Sequence, residues 1–292
     1  MPMTIATEEP GSMKPVLITG ASSGIGAACC EWLLARGYQV FAGMRSPNED
    51  ARLKQQYGER YQLLALDVTD AESIESAMNI VQSRTDGKLS ALINNAGVAY
   101  SGALETLPMH QVRSLFDVNV LGTFAMTQAC IPLLRASRGR VVMMGSISGI
   151  LAAPGLSAYS SSKFALEGLS DSLRNELKPF GIRVTILEPG KIETPIWSKA
   201  LQQLTTKEEE MSSDGHSLYQ PLDDFYRHYA ANEKATPMSE LLAVLQKALE
   251  AQHPKARYTV GRAARIRSLL MHLPTALRDR LLQRAVPVTS DD

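Results

Sequence analysis

The sequence predicts an α/β protein in which helices cover both faces of a seven-stranded parallel sheet. Short apolar runs typical of buried strands alternate along the chain with longer segments of helical periodicity. Alternation of this kind indicates parallel strands joined by helical crossovers. A chain of 292 residues can bury a substantial core, and no fixed repeat or composition break divides it into two halves. We therefore expect one doubly wound domain.

Strands are expected where apolar residues run continuously between turn-forming residues: 15–19, 39–43, 61–66, 90–93, 140–145, 183–187 and 258–260. Helices are expected where apolar residues recur with helical spacing: 27–36, about 47–57, 71–84, about 108–135 and about 157–178. These elements define a domain at 14–261. It is preceded at 1–13 by a proline-containing segment without periodicity, which predicts a flexible leader.

An insertion at about 195–237 interrupts the alternation of strands and helices. Its middle is acidic and contains Gly and Ser, so we expect a mobile, solvated segment that orders over bound substrate. Its large side chains either line a cleft for an apolar substrate or only pack the insertion onto the sheet: Trp197, Met211, Leu218, Tyr219, Phe225, Tyr226 and Tyr229. Trp197 is the candidate substrate contact nearest the end of the last strand-associated motif.

The C-terminal tail, 262–292, has a basic amphipathic pattern. Up to residue 284 it contains six arginines and a single aspartate, and Pro274 breaks the helical period. The tail could cap the substrate cleft, form a subunit contact, or lie on an anionic membrane surface. We favour packing on protein, because the apolar stripe is short on each side of Pro274.

Composition and charge bound the function. Lys+Arg and Asp+Glu are equal at 30 each, so no global field favours nucleic acid. The three cysteines lack metal-ligand spacing, which predicts reduced thiols and no metal site. The N-terminal residues lack the apolar core of a signal peptide, and no run of ~18 apolar residues could span a bilayer. We expect a cytoplasmic protein.

Tyr159 and Lys163 are four residues apart and share one face of a predicted helix. At about 4–5 Å and an effective dielectric of roughly 20, the lysine charge favours the phenolate by ~3–4 kcal/mol, which lowers the phenol pKa by about two to three. An ordinary amphipathic turn has the same spacing. Ser146, however, stands thirteen residues upstream at the end of a predicted strand, where open parallel sheets present ligand-facing groups. Ser146 would hold a substrate oxygen while Tyr159 exchanges a proton with it.

A glycine-rich turn follows the first predicted strand and opens the first helix. Backbone N–H groups and the helix dipole at such a turn can bind a pyrophosphate. Its candidate cofactor contacts are Gly20, Ser22, Ser23, Gly24, Ile25 and Gly26. Where a dinucleotide site often carries an acid for the ribose 2′-hydroxyl, this chain has Met44 followed by Arg45. That favours NADP(H) over NAD(H), unless Arg45 only points to solvent.

Six motifs in one order resemble the short-chain dehydrogenase/reductase family: Thr19-Gly20-x-x-x-Gly24-x-Gly26, Asn94-Asn95-Ala96-Gly97, Asn119, Ser146, Tyr159-x-x-x-Lys163 and Pro189-Gly190-x-x-x-Thr194. The resemblance runs from about Lys14 to Thr194 and implies a Rossmann-like fold. It also implies further cofactor contacts: Asp67 and Val68 at the adenine, Asn94, Ala96 and Gly97 beside the nicotinamide, and Pro189, Gly190, Ile192 and Thr194 over the nicotinamide and its phosphates.

The same resemblance gives two residues a second role. Asn119 would hold a water that links Lys163 to solvent, and Lys163 would bind the nicotinamide ribose while it acts on Tyr159. One departure bears on the cofactor, since many NADP-preferring relatives have a basic residue where this chain has Ser23. The NADP(H) prediction therefore depends on Arg45.

These observations predict an NADP(H)-dependent oxidoreductase that interconverts a secondary alcohol and a ketone, or an aldehyde, on an apolar substrate. The insertion and the tail are similar to those of the retinol and hydroxysteroid branch of the family, which suggests a steroid- or retinoid-like compound. A homodimer or homotetramer is implied by the resemblance alone. The alternative is a non-catalytic protein that senses the nicotinamide cofactor on the same fold.

Overall fold

The structure, a computed structural model, describes residues 13–47, 51–194 and 213–288. Of the predicted leader only Met13 falls within these ranges. The candidate substrate residue Trp197 and the acidic middle of the insertion up to 212 lie outside them.

The described residues form a seven-stranded sheet in which every pair of neighbouring strands is parallel. The strands are β1 (Pro15–Thr19), β2 (Gln39–Met44), β3 (Tyr61–Ala65), β4 (Ala91–Asn94), β5 (Arg140–Met144), β6 (Arg183–Pro189) and β7 (Arg257–Val260). Their order is β3-β2-β1-β4-β5-β6-β7, so the chain winds outward first on one side of β1 and then on the other. This confirms the predicted doubly wound fold and puts its switch point between β1 and β4, where such folds bind ligands.

Helices cover both faces of the sheet. They are α1 (Gly24–Ala35), α2 (Ala51–Tyr57), α3 (Ala71–Arg84), α4 (Met109–Phe116), α5 (Gly122–Ser137), α6 (Ser157–Leu177), α7 (Ser213–Asn232), α8 (Met238–Glu250), α9 (Arg262–Leu269) and α10 (Thr275–Ala285). On one face Leu33 and Leu34 of α1 join Leu245 of α8 in a buried cluster with the strands. On the other face α3, α5 and α6 supply the buried apolar side chains, among them Met126 and Leu166.

The long helix predicted at about 108–135 is present but irregular. Its two parts, α4 and α5, are joined by a π-helical turn at Asp117–Leu121. Such a turn adds a residue to the helix and is often found at functional sites. Here it contains Asn119, which is buried.

The second half of the insertion is helical over Ser213–Asn232, where the sequence indicated only an interruption of the alternation of strands and helices. Leu222 and Tyr226, four residues apart on α7, are buried in one cluster with Ala103 and Leu156. This packing stabilises a helix that the polar local sequence does not predict. The part of the chain that the structure describes contains no helix with the length and apolar character needed to cross a bilayer.

Candidate active site

A cavity of about 830 Å³ opens at the carboxyl ends of the strands. Its inner wall comes from the turn after β1, from the ends of β2, β4, β5 and β6, and from α6. Its outer wall comes from α7, α9 and α10. The cavity therefore lies at the topological switch point of the sheet, where the sequence motifs were expected to meet.

Hydrogen bonds join the glycine-rich turn after β1 to the loop after β4. The Thr19 hydroxyl accepts hydrogen bonds from the main-chain N–H groups of Asn95 and Ala96, each at 3.0 Å. The Asn95 side chain donates to the main-chain oxygens of Thr19 and Gly20, at 2.9 and 3.0 Å. Gly20 has φ +67°, and a Cβ there would lie 2.7 Å from the Ala96 Cα. Only glycine permits this close approach of the two loops.

Helix α1 begins at Gly24, earlier than the predicted start at 27, and its N-terminus faces the cavity. Ser23 is the N-cap residue, yet its side chain makes no capping hydrogen bond. The first N–H groups of the helix are thus left for an external acceptor, and the helix dipole favours an anion there. Four of the predicted contacts of this turn besides Gly20 line the cavity: Ser22, Ser23, Gly24 and Ile25. The cradle fits the pyrophosphate of a dinucleotide.

Gly26 is a predicted cofactor residue that does not line the cavity. A Cβ at this position would lie 2.1 Å from the Gly20 main-chain oxygen. Gly26 therefore lets α1 pack closely against the turn, and it supports the shape of the phosphate-binding turn without contacting the cavity.

Met44 ends β2 at one side of the cavity, and Arg45 follows it. Met44 is buried, while Arg45 is exposed and lines the cavity together with Asp67 and Val68. The pKa of Asp67 is held below its usual value, first by the hydrogen bond from the Thr69 N–H and more weakly by the Arg45 charge. A guanidinium at this edge is chemically suited to a 2′-phosphate.

Asn94 and Asn95, adjacent in sequence, point in different directions. The buried Asn94 side chain donates to the Thr127 hydroxyl at 2.8 Å and to the Met143 sulfur at 3.3 Å. Its predicted role as a cofactor contact does not fit this geometry, because these partners lie in the core. Asn95, the second residue of the same motif, lines the cavity with Ala96 and Gly97. Successive side chains of an extended chain point to opposite sides, so an Asn94 side chain in the core indicates that Asn95 faces the other way.

Ser146, Tyr159 and Lys163 meet on the inner wall, and all three are buried. Ser146 follows β5 and caps the short helical turn Ile147–Gly149, with its Oγ accepting from the Ser148 N–H at 3.1 Å. A side-chain hydrogen bond with Ser146 acts to lower the pKa of Tyr159. One turn further along α6, the Lys163 Nζ lies 5.8 Å from the centroid of the Tyr159 ring.

The pKa of Tyr159 differs from the sequence-based expectation. Burial raises it to about 12, a shift that the Ser146 hydrogen bond only partly opposes. Burial also lowers the pKa of Lys163, to about 8. The expected lowering of the Tyr159 pKa considered the lysine charge without the cost of burying a phenolate, and in this structure that cost is larger.

Asn119 lies behind the cavity wall. Its side chain accepts from the Val98 N–H at 2.8 Å and donates to the Val98 oxygen at 2.9 Å and the Ser162 hydroxyl at 3.1 Å. A Cβ at Gly97 would lie 3.4 Å from Asn119 Oδ1 and 3.9 Å from Lys163 Nζ. Asn119 and Lys163 therefore approach each other beside Gly97, and the predicted water between them stays a prediction.

The segment after β6 borders the cavity as expected. Its lining residues include Pro189, Gly190, Ile192 and Thr194. Ile192 is buried and forms an isolated parallel bridge with Thr236, which precedes α8. The segment therefore contacts the chain that follows α7.

The outer wall is mainly apolar and aromatic. Phe225, Tyr226 and Tyr229 of α7 line it, whereas Leu218 is exposed and Tyr219 bonds the Glu105 carboxylate at 2.8 Å. Polar residues at the end of α7 also line it: His228, Asn232 and Glu233. The tail adds Arg267, Leu270, Leu281, Leu282, Ala285 and Val286. These tail residues therefore cap the cleft, while the subunit contact and the membrane surface stay predictions.

A phosphate-binding turn at the switch point of a doubly wound sheet, beside a buried Ser, Tyr and Lys, defines an oxidoreductase that uses a nicotinamide dinucleotide. Comparison with protein families agrees. The short chain dehydrogenase model matches residues 14–205, and the chain belongs to this family.

Three similar proteins illustrate this. The NADPH-dependent 3-dehydrocapnine reductase of Ornithobacterium rhinotracheale is 34% identical over 93% of this chain and 95% of its own. Retinol dehydrogenase 5 of Mus musculus is 34% identical over 95% and 90%. The crystal structure of a short chain dehydrogenase from Burkholderia cenocepacia in complex with NADP is 26% identical, with a TM-score of 0.72 over 92% of this chain and 98% of its own. The 17-beta-hydroxysteroid dehydrogenase type 6 of Bos taurus is 33% identical, so the resemblance to the retinol and hydroxysteroid branch is confirmed.

Proposed function

We propose that the chain is an NADP(H)-dependent oxidoreductase that interconverts a secondary alcohol and a ketone, or an aldehyde, on an apolar substrate of steroid or retinoid type. The observation that carries this proposal is that Ser146, Tyr159 and Lys163, all buried, line one cavity whose outer wall is mainly apolar and aromatic. A substrate oxygen near both hydroxyls would be held by Ser146 and would exchange a proton with Tyr159.

The pKa values support a proton donor. With its pKa raised to about 12, Tyr159 carries its proton at neutral pH and can donate it to a ketone oxygen. Lys163, with a pKa of about 8, is mainly an ammonium at pH 7 and stabilises the phenolate as the proton leaves. The dinucleotide, when bound, supplies the hydride in reduction and accepts it in oxidation.

Arg45 supports the choice of NADP(H). It is exposed at the cavity edge, and the preceding residue, Met44, offers no carboxylate that would repel a 2′-phosphate. The NADPH-dependent reductase and the NADP complex among the similar proteins support the same cofactor. NAD(H) is the alternative, and a similar reductase has been crystallised with NADH.

Exposed apolar side chains support the expected homo-oligomer. Leu121 of the π-helical turn, Phe124 of α5 and Phe164 of α6 are 60%, 48% and 42% exposed. A second copy of the chain that covered these side chains would remove them from water.

The proposal is tested by following the absorbance of NADPH with a panel of apolar ketones, steroid and retinoid carbonyl compounds among them. We expect oxidation of NADPH with at least one of them and slower reaction with short polar ketones. Tight binding of NADPH with no turnover of any member of the panel would contradict the proposed substrate class.

A further inference from the structure

Lys191 joins the segment after β6 to the end of α7. Its Nζ donates hydrogen bonds to the main-chain oxygens of Tyr229, Ala230 and Glu233, at 2.9, 2.9 and 2.8 Å. The last carbonyl groups of a helix have no partners within the helix and lie at the negative end of its dipole. The Lys191 ammonium binds the Tyr229 and Ala230 oxygens in the last turn of α7 and the oxygen of Glu233, the residue after the helix, and so holds the C-terminal end of α7.

Contacts of Thr236 and Arg267 strengthen this junction. The Thr236 N–H donates to the Lys191 oxygen at 2.8 Å, beside the bridge between Ile192 and Thr236. From α9, Arg267 donates to the Tyr229 hydroxyl at 3.2 Å and pairs with the Glu233 carboxylate at 3.1 Å. The end of α7 is thus held by the segment after β6 on one side and by the tail on the other.

The position of α7 decides the shape of the substrate side. Phe225, Tyr226 and Tyr229 project from it into the cavity, where Phe225 and Tyr229 stack with their ring centroids 6.3 Å apart. Tyr229 also contributes to the raised pKa of Tyr159, so its hydroxyl lies within electrostatic reach of the proposed proton donor. A small shift of α7 would change both the apolar wall and the surroundings of Tyr159.

We propose that Lys191 is a positioning residue that couples binding of the dinucleotide along 189–194 to the placement of α7 over the substrate. The bound cofactor restrains the segment after β6. Through the three hydrogen bonds from Lys191, the same restraint acts on the C-terminal end of α7. This proposal rests on the proposed function, because 189–194 must contact the dinucleotide. A different role for the same ammonium, direct binding of a cofactor phosphate, predicts a different result.

The test uses the full-length protein with NADPH as the probe. Three variants are compared with the parent: Lys191→Met, which removes the charge and keeps the length, Lys191→Arg, which keeps donors, and the control Lys88→Met. Lys88 is exposed just before β4, at the amino ends of the strands, whereas the cavity lies at their carboxyl ends. Amide hydrogen exchange of peptides covering 222–233 is measured with and without saturating NADPH, together with the Kd of NADPH.

In the parent and in Lys88→Met, NADPH should slow exchange at 222–233 about fivefold or more, the lower end of usual coupling between sites. In Lys191→Met the Kd should stay within about threefold of the parent while this slowing disappears, and Lys191→Arg should restore part of it. For a ketone that is turned over, Lys191→Met should raise KM more than it lowers kcat, because the catalytic groups are untouched.

Three results would overturn the proposal. Equal protection of 222–233 in the parent and in Lys191→Met would show that α7 is placed without Lys191. A loss of NADPH affinity by about a hundredfold in Lys191→Met would identify the ammonium as a phosphate ligand. Failure of the parent to bind either NADPH or NADH would contradict the proposed cofactor itself, and this failure is distinguished from the first two by the binding measurement alone.

Discussion

Lys163 donates a hydrogen bond from its Nζ to the main-chain oxygen of Met144, at 2.9 Å. Met144 is the last residue of β5, and Ser146 follows it two residues later. One strand end therefore both holds the ammonium and presents the serine hydroxyl. The same ammonium lies 5.8 Å from the centroid of the Tyr159 ring.

The pH dependence of reduction should follow Lys163. Its pKa of about 8 lies below the usual lysine value because it is buried, so the ammonium is lost as the pH rises through 8. The pKa of Tyr159, about 12, keeps the phenol protonated over the same range. We expect kcat for ketone reduction to fall above pH 8. A kcat that is constant from about pH 7 to 9.5 would rule out this role for the ammonium.

Cofactor preference should depend on Arg45. A guanidinium contributes ~1.5–3 kcal/mol to binding a phosphate, so Arg45→Ala should weaken NADPH roughly ten- to a hundredfold and leave NADH nearly unchanged. Met44→Asp should reverse the preference, because a carboxylate repels the 2′-phosphate and accepts the ribose hydroxyls of NADH.

Dissociation constants for both cofactors, measured at one ionic strength, check this prediction. Arg183→Ala is the matched control, because Arg183 is exposed at the start of β6, at the end of the strand away from the cavity. If Arg45→Ala weakens both cofactors alike, or if the parent prefers NADH, the assignment of NADP(H) is wrong.

Two glycine-to-alanine substitutions should change stability in opposite directions. A Cβ at Gly26 would lie 2.1 Å from the Gly20 oxygen, so Gly26→Ala should cost ~1–3 kcal/mol and weaken NADPH binding by displacing the turn. Gly168 in α6 is exposed, and a Cβ there meets no atom within 4 Å among the described residues. Gly168→Ala should add ~0.5–1 kcal/mol. Urea denaturation measures both, and equal effects would contradict the packing described here.

Behind the active site, α6 and β6 bury two carboxylates against one arginine. Arg257 donates to Glu167 at 2.9 Å, lies 3.7 Å from Glu188, and pairs with Asp171 at 2.6 Å. Burial, followed by the charge of Glu188, raises the pKa of Glu167 from 4.5 to about 7. The folded state therefore binds more protons than the unfolded state between these values, and this group makes the protein less stable as the pH rises through that window.

Glu167→Gln removes that titration. We expect the variant to gain stability relative to the parent at pH 8 and to lose the gain at pH 5, where the parent carboxyl is already largely protonated when folded. The free energy of unfolding of both proteins at the two pH values checks this. The same difference at both values would show that Glu167 does not titrate in this window.

Much of the fold follows from local sequence pattern. Strands buried on both faces read as continuous apolar runs, which is why β1 was predicted at its observed residues. Helix α3 was also predicted at its observed residues. Asp70 caps its N-terminus by accepting a hydrogen bond from the Glu72 N–H. Helix α7 could not be predicted in this way, because contacts with Ala103 and Leu156, distant in sequence, stabilise it.

The candidate site was predictable in its residues and less so in its energetics. The spacing of Tyr159 and Lys163 indicates that they share a helix face, but it does not indicate how deeply they are buried, and burial determines both pKa values. Likewise the tail has an apolar stripe in sequence, yet only the fold shows that Leu282 and Val286 face the cavity.

Proton transfer is assigned to the Tyr159 hydroxyl, and the variant Tyr159→Phe removes that group alone. The variant keeps the ring and loses the hydroxyl, so the Kd of NADPH should stay close to that of the parent. Its kcat for reduction of an apolar ketone should fall by ~10²–10⁴, the usual contribution of a positioned general acid. If the variant instead keeps turnover within about tenfold of the parent while binding NADPH normally, proton transfer does not depend on Tyr159 and the account is wrong.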